Sequence, residues 1–506
     1  MKREIFTKDW LELHPYKTAD AVDQYYVSLA NAIYFQLKEL GFTEFFDKKQ
    51  DAKHLALCLA AYFEDVITGL GIWRAFTTEC QKRYGVYVPF YIKLFKEEEY
   101  YQDEINIQDV LFIMWHHFQQ SVYDKEALPP IFDSIGTAAL GVFTILDNEY
   151  ENAPSNERLL YILCDIDIDE EHFYDYRKIL EWFHYDCYFN VGNKKRLLEA
   201  TKKDKEKSEE YNDVMRYSTK MEQMMGSRHN LLALSSAEWL AKISEQHPSH
   251  KLWTDVDFRP IRFFSIDKED KDFVYAKDLY LGDTLKVTKA SLKLDNFDDY
   301  IKGKTVCATT MFKFGSAWWQ NGALIGYPFD KVMKDDIKRN KDKYLHKKEI
   351  DNYQLLKKSG NAHKILILKD QDELIKLYES AGYKMAKGLK LPEPNAKGII
   401  VSGSPYTGLM LTFHMAHCIS SKDNPFYDPI KAEEDAIDII TGACDAFSYE
   451  AVCQLIDQHL LADANIFSHK YDTKEGIRIT QENLQFLADY HLRKRRDKDL
   501  SPEELW

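Results

Sequence analysis

Between Asp257 and Ile325 the hydrophobic pattern of this 506-residue chain changes period. Before that point apolar residues recur at three-and-four spacing, the signature of helices with one buried face. Within it they alternate: Val306, Ala308, Thr310, Phe312 and Phe314 occupy every second position, as on a half-buried strand. A helical pattern cannot serve as a strand, so the chain must fold as a mostly α polypeptide interrupted by a β module. Five β-rich runs fall in this stretch: Pro260–Ile266, Asp272–Tyr280, Thr284–Ser291, Lys304–Phe314 and Trp318–Ile325. Gly282-Asp283, Lys302-Gly303 and Gly315-Ser316 punctuate them. Short strands at this density predict a small SH3-like or OB-like barrel.

The flanks predict helices. Ala19–Leu40 carries Val22, Tyr25, Tyr26, Leu29, Ile33 and Leu37 on one face, stopped by Gly41. Asp51–Thr68 is apolar almost all round and reads as a central helix. Asn106–Gln120 opens with Asn106 as expected N-cap, and Ser235-Ser236-Ala237-Glu238 has capping-box spacing. Further helical patterns cover Ile131–Asn148, Glu170–Phe189 and Leu197–Met225. After the strands comes a highly charged helix or linker, Val332–Lys358. Lys364–Leu368 and Gly398–Ser402 have strand length, with a helix at Asp370–Ala381 between them. Helices return at Ile430–Gly442, Ser448–Leu461 and Thr480–Arg496. The fold class read from this is α+β: a large helical N-terminal domain (1–245), a small five-stranded barrel (256–327) and a C-terminal region running from α/β to helical (328–506). Glycine and proline, 21 and 14 residues, are scarce and agree with long helices.

Lysine and arginine total 67 against 82 acidic residues, a net charge of −15, which argues against coating DNA or an anionic membrane with the whole surface. The first ten residues are charged and lack the apolar core of a signal peptide. The longest apolar runs, Leu55–Phe63 and Ile135–Leu146, fall short of the ~18 residues that span a bilayer. The eight cysteines are scattered without a CxxC and read as free thiols in a reducing cytoplasm.

No phosphate-binding glycine loop or nucleophile elbow is present, and Ser402-Gly403-Ser404-Pro405 reads as a turn. The one concentration of acid–base residues is N-terminal: Glu64 and Asp65 in an apolar helix, Glu104 before the next, and His117 upon it. If the two helices pack, these four could form the catalytic centre of a metal-dependent hydrolase. The plainer reading is a buried histidine paired with a carboxylate. Glu181 and His184 form a single Glu-x-x-His, where a di-iron bundle needs two. His414, His417 and Cys418 could share a helix face but lack a fourth ligand. No metal or cofactor is therefore assigned. On the strands, Phe312, Phe314, Trp318, Trp319 and Arg262 combine aromatic and basic character suited to a partner, although the same residues could fill the barrel. Arg493-Lys494-Arg495-Arg496 could touch phosphates or complement a helix C-terminus.

Several segments, Leu13-His14-Pro15-Tyr16, Asp23-Gln24-Tyr25-Tyr26, Ala61 to Gly69, Asp103-Glu104-Ile105-Asn106 and Asn424 to Asp428, resemble an uncharacterised domain-of-unknown-function family of gut Bacteroidetes. That resemblance implies a bacterial cytosolic protein and transfers no activity. The strand region is also similar to a β module of bacterial proteins that carry a cysteine-rich metal motif. That motif is absent here, so its metal role does not transfer. The function expected is a cytosolic interaction or scaffold protein. Its barrel and helical surfaces would meet a protein partner, or a nucleic acid as the second class. The alternative is the hydrolase above.

Overall fold

The computed structural model describes residues 3–91, 100–122, 127–132, 134–165, 172–202, 208–292, 297–345, 347–382, 393, 395–405, 407–467 and 472–493. It is a mixed α+β protein with a helical N-terminal region and a five-stranded sheet. The chain divides into two compact units, residues 1–124 with 130–334, and residues 125–129 with 335–506.

In the first unit the helices are α1 (Thr7–Leu11), α2 (Ala21–Glu39), α3 (Lys49–Thr68), α4 (Ile72–Tyr84), α5 (Ile107–Ser121), α6 (Ile135–Glu149), α7 (Glu157–Leu160), α8 (Phe173–Tyr185), α9 (Asn193–Ala200), α10 (Glu209–Gly226), α11 (Ser236–Ile243) and α12 (His250–Thr254). The central helix expected from sequence is α3, buried from Leu55 through Asp65. The capping box at Ser235 forms: its hydroxyl accepts from Glu238 N at 3.2 Å, and Ser235 N donates to the Glu238 carboxylate at 2.6 Å. Asn106 stands at the N-cap of α5 but does not cap it. Its amide instead donates to the carbonyls of Tyr101 and Glu104 and closes the turn ahead of the helix. The pattern at Leu197–Met225 resolves into α9 and α10, with residues 203–207 outside the described set.

The five expected strands are present as β1 (Asp257–Glu269), β2 (Phe273–Asp278), β3 (Thr284–Thr288), β4 (Thr305–Phe314) and β5 (Ala317–Pro328). Short helix α13 (Asp298–Ile301) precedes β4. Pairing runs β1–β2–β3–β5–β4, and β4 pairs back with β1. All neighbours are antiparallel except β3 and β5, which are joined by one parallel bridge, Val287 to Trp318. Phe264, Ile266, Val274, Leu285, Val287 and Met311 pack between the strands.

The boundary between the units falls within α14 (Lys331–Tyr344). The second unit continues with α15 (Lys347–Lys358), β6 (Leu366–Leu368), α16 (Gln371–Ser380), β7 (Ile399–Ser404), β8 (Gly408–Thr412), α17 (Pro429–Thr441), α18 (Tyr449–Asp457), α19 (Thr473–Glu482) and α20 (Leu484–His491). The strands form an antiparallel sheet in the order β6–β7–β8. Ile399 and Val401 of β7 pack on Leu355 and Leu356 of α15, and Ile400 on the other face packs with α17 and α18. Ser402, Gly403 and Ser404, read as a turn, are the end of β7 and are buried. The eight cysteines are all free, six of them buried. Among the described residues no single helix is long and apolar enough to cross a membrane.

Candidate functional site

Glu64, Asp65, Glu104 and His117 occupy separate environments. Glu64 faces the N-terminal segment: one carboxylate oxygen lies 2.8 Å from Nε2 of His14, and the other accepts from the Asn156 amide at 2.7 Å. His14 Nδ1 lies 2.9 Å from the Trp10 carbonyl. Both partners of that ring are oxygens, so the imidazolium, which donates from both nitrogens, fits the pair. Burial pushes His14 towards neutrality, but the Glu64 carboxylate outweighs it and holds the pKa above its ordinary value. Tyr16 and Trp10 extend the network to Asp23, at 3.0 and 2.9 Å.

One residue along α3, Asp65 points elsewhere. Its oxygens accept from Ile72 N (3.2 Å) and Trp73 N (2.7 Å), capping α4, and from the Tyr188 hydroxyl (2.7 Å). Burial raises its pKa to about 6, although these hydrogen bonds pull the other way. Glu104 stands exposed in the turn before α5. His117 is 1 % exposed, and its Nε2 lies 2.9 Å from Nδ1 of His54, a residue not singled out in the sequence. Cys58, one turn beyond His54 on α3, places Sγ 3.5 Å from the same Nδ1. Burial, aided by Lys194, pulls His54 down to about 4; burial lowers His117 well below the usual histidine range and raises the Cys58 thiol. The His54-x-x-x-Cys58 spacing on one helix face is the signal that was available for this group.

The aromatic residues of the sheet turn inward. Phe312, Phe314 and Trp319 are buried against α8: Phe173 stacks on Trp319 at 4.7 Å, and Tyr176 lies 4.5 Å from Phe314 and 3.9 Å from Trp253. Arg262 is 5 % exposed and pairs with buried Asp278 at 3.5 Å. Trp318 is half-buried beneath the Arg259 guanidinium, 5.1 Å from the ring centre. These five residues, read as a partner surface, thus lie mostly in the seam between sheet and helices.

In the second unit His417 Nε2 meets Asp435 of α17 at 2.8 Å, with Cys418 Sγ 3.5 Å from the same carboxylate oxygen. His414 has a φ of +64° on a bend and pairs with Glu393, so it does not share a helix face with His417. Glu181 pairs with Lys220, and His184 bonds Ser236 at 2.8 Å, so the Glu-x-x-His is no ligand set. Arg493 lies 3.8 Å from Asp489; residues 494–496 are outside the described set.

Two openings in the first unit differ in charge balance. A cleft of about 330 Å³ at the start of α4 is lined by Trp73, Arg74, Glu79, Asp103 and Lys242, among others. Both of its lysine and arginine cations are paired, Lys242 with Glu79 (3.2 Å) and Arg74 with Asp103 (3.1 Å), and Glu79 also meets Lys82 (3.0 Å). A groove of about 440 Å³ lies between α8, α10 and β5, lined by Tyr174, Arg177, Tyr217, Ser291, Gln320, Gly322 and Leu324. There the Arg177 guanidinium sits 5.0 Å from the Tyr174 ring centre and donates to the Tyr217 hydroxyl at 3.2 Å and to Asn321 Oδ1 at 3.5 Å. Among the described residues it has no carboxylate partner. Asn321 Nδ2 beside it is buried without a hydrogen bond.

The class so defined is a mixed α+β protein with a helical N-terminal region and a five-stranded sheet. The chain belongs to the family described as protein of unknown function, DUF3843, whose model matches residues 4–269 and 316–493. No curated protein and no solved structure matches it.

Proposed function

We propose that this is a binding protein of the bacterial cytoplasm, of gut Bacteroidetes origin, whose groove beside β5 takes an acidic peptide segment of a protein partner. The observation that carries this reading is Arg177: a guanidinium in a groove, framed by two tyrosines, with no carboxylate to neutralise it among the described residues. A carboxylate is its natural complement, through two parallel hydrogen bonds. The Gln320 side chain lines the same groove; its amide nitrogen donates to Thr309 and Gly322, which leaves its carbonyl oxygen to accept from a peptide N–H, while Tyr174 and Tyr217, 39 % and 40 % exposed, offer rigid rings to a side chain. A nucleic acid would need a row of unpaired cations along its phosphates. Around this groove Lys178 and Lys220 are already paired, with Asp175 and Glu181. In this reading the strands form an SH3-like or OB-like barrel (256–327) that in sequence follows a helical domain (1–245) and precedes a C-terminal region (328–506), and the helices of the first unit supply half of the binding surface.

The test is selection of random displayed peptides on the full chain, in parallel with a random single-stranded oligonucleotide pool. Selected peptides are expected to carry Asp, Glu or a free C-terminal carboxylate, to weaken as salt rises, and to lose about tenfold or more in affinity on Arg177→Gln. Peptides without a carboxylate, affinity unchanged by Arg177→Gln, or selection of oligonucleotides alone would overturn the reading.

A further inference from the structure

Three potential metal donors meet between α3 and α5: Nδ1 of His54, Sγ of Cys58 and Nε2 of His117, all within 4.8 Å of one another. The protonation of His117 follows from its neighbour. Ser121 has one hydroxyl hydrogen, and donates it to the His117 carbonyl at 2.8 Å. Its oxygen is then an acceptor for His117 Nδ1, 3.2 Å away, so the ring proton sits on Nδ1. Nε2 therefore carries a lone pair that faces His54 Nδ1 at 2.9 Å, with Cys58 Sγ within 4.8 Å. A ligating histidine is ordinarily held in just this way, its second nitrogen donating to a fixed acceptor.

We propose that His54, Cys58 and His117 bind a divalent transition metal of the zinc class. Two imidazoles and a thiolate are the borderline-soft donor set that zinc and its analogues prefer. Bonds of about 2.0–2.3 Å at a tetrahedral centre put neighbouring donors roughly 3.4–3.6 Å apart. The His54 Nδ1 to Cys58 Sγ distance of 3.5 Å already has that value, and the two ring nitrogens at 2.9 Å open by roughly half an ångström. Without the ion, the His54 Nδ1–H donates to His117 Nε2. On binding, Cys58–SH gives its proton to solvent and the thiolate joins the metal. His54, the least buried of the three, moves its ring proton from Nδ1 to Nε2 by exchange with water, so one proton is released per ion. Water takes the fourth position. Ser121 is a positioning residue.

The experiment strips the reduced full-length chain with a chelator and titrates it with Co²⁺. A thiolate-to-cobalt charge-transfer band is expected, saturating at one ion per Cys58, displaced by Zn²⁺ and stronger as pH rises. Cys58→Ser should abolish the band, while Cys418→Ser, at the His417 and Asp435 group, should keep it. Ser121→Ala should weaken binding about tenfold with the band retained. Because Cys58 is buried, His54→Gln serves as the second variant at a less buried position, and it should weaken binding more than about tenfold. Circular dichroism checks each fold. A folded native chain without the band, a band that survives Cys58→Ser in folded protein, or one that follows Cys418 would overturn the assignment.

Discussion

Glu64 and His14 are both almost wholly removed from water, and each compensates the other's charge. Removing one partner leaves a buried charge unpaired, so Glu64→Gln should destabilise the protein by about 3–5 kcal/mol in urea unfolding. The pH dependence has a definite sign. His14 has a raised pKa in the folded chain, so its contribution is complete below the ordinary histidine value of about 6.5 and disappears as pH climbs through the folded value. The stability gap between the native chain and a His14→Gln/Glu64→Gln double variant should therefore shrink as pH rises above about 6.5. A constant gap would refute the charged pair. Asp65 and Asp109, each raised to about 6 by burial, titrate in both proteins and cancel in the comparison. Carboxylates in so apolar a helix signal something unusual in the sequence. Their partners are not legible there, because adjacent helical residues point about 100° apart. Glu64 thus reaches His14 and Asn156, while Asp65 reaches α4 and Tyr188.

Elements are more legible than partners, since their periods are local. All five strands of the first sheet fall on the β-rich runs, although β4, read as half-buried from its alternation, is buried on both faces, and α17, expected from Ile430, begins at Pro429 with Asp428 as N-cap, accepting from Ile430 N at 3.2 Å. Breaks within a continuous period are harder to read. Within the described part of the pattern over Thr480–Arg496 two helices, α19 and α20, take the place of one, because Asn483 turns its amide back to the Ile479 carbonyl at 2.7 Å and ends the first. β8 is not among the strands expected from the sequence, and its fit against β7 depends on Gly403. A Cβ there would stand 2.6 Å from Leu356 Cδ1 and 2.7 Å from the Gly408 carbonyl oxygen. The side chain could shift, but the paired backbone cannot. Gly403→Ala should cost about 1–3 kcal/mol, seen as a lower melting temperature of the full chain. A melt unchanged from the native protein would contradict this packing.

At the scale of the whole molecule, the seam of the first unit decides how its parts hold together. Phe173, Tyr176 and Trp253 from the helices interleave with Phe312, Phe314 and Trp319 from the sheet. Trp319→Ala should cost about 3–5 kcal/mol, and helical and sheet signals should be lost in one transition. Separate transitions would show that sheet and helices fold independently. The sequence displayed these aromatics but not their orientation. Alternation puts Trp318 and Trp319 on opposite faces, and only the distant α8 and α12 determine which face is covered.

The β2–β3 ribbon pairs with β1 along a ladder interrupted by one bulge, between Ile266 and Lys268, yet meets β5 at one bridge. It lies wholly inside residues 270–315, the stretch between the two matched parts of the family model. With so little pairing to β5, β3 amides should exchange with deuterium before those of β4. The exposed Gly282-Asp283 turn at the ribbon's tip is where added residues would disturb the packed strands least.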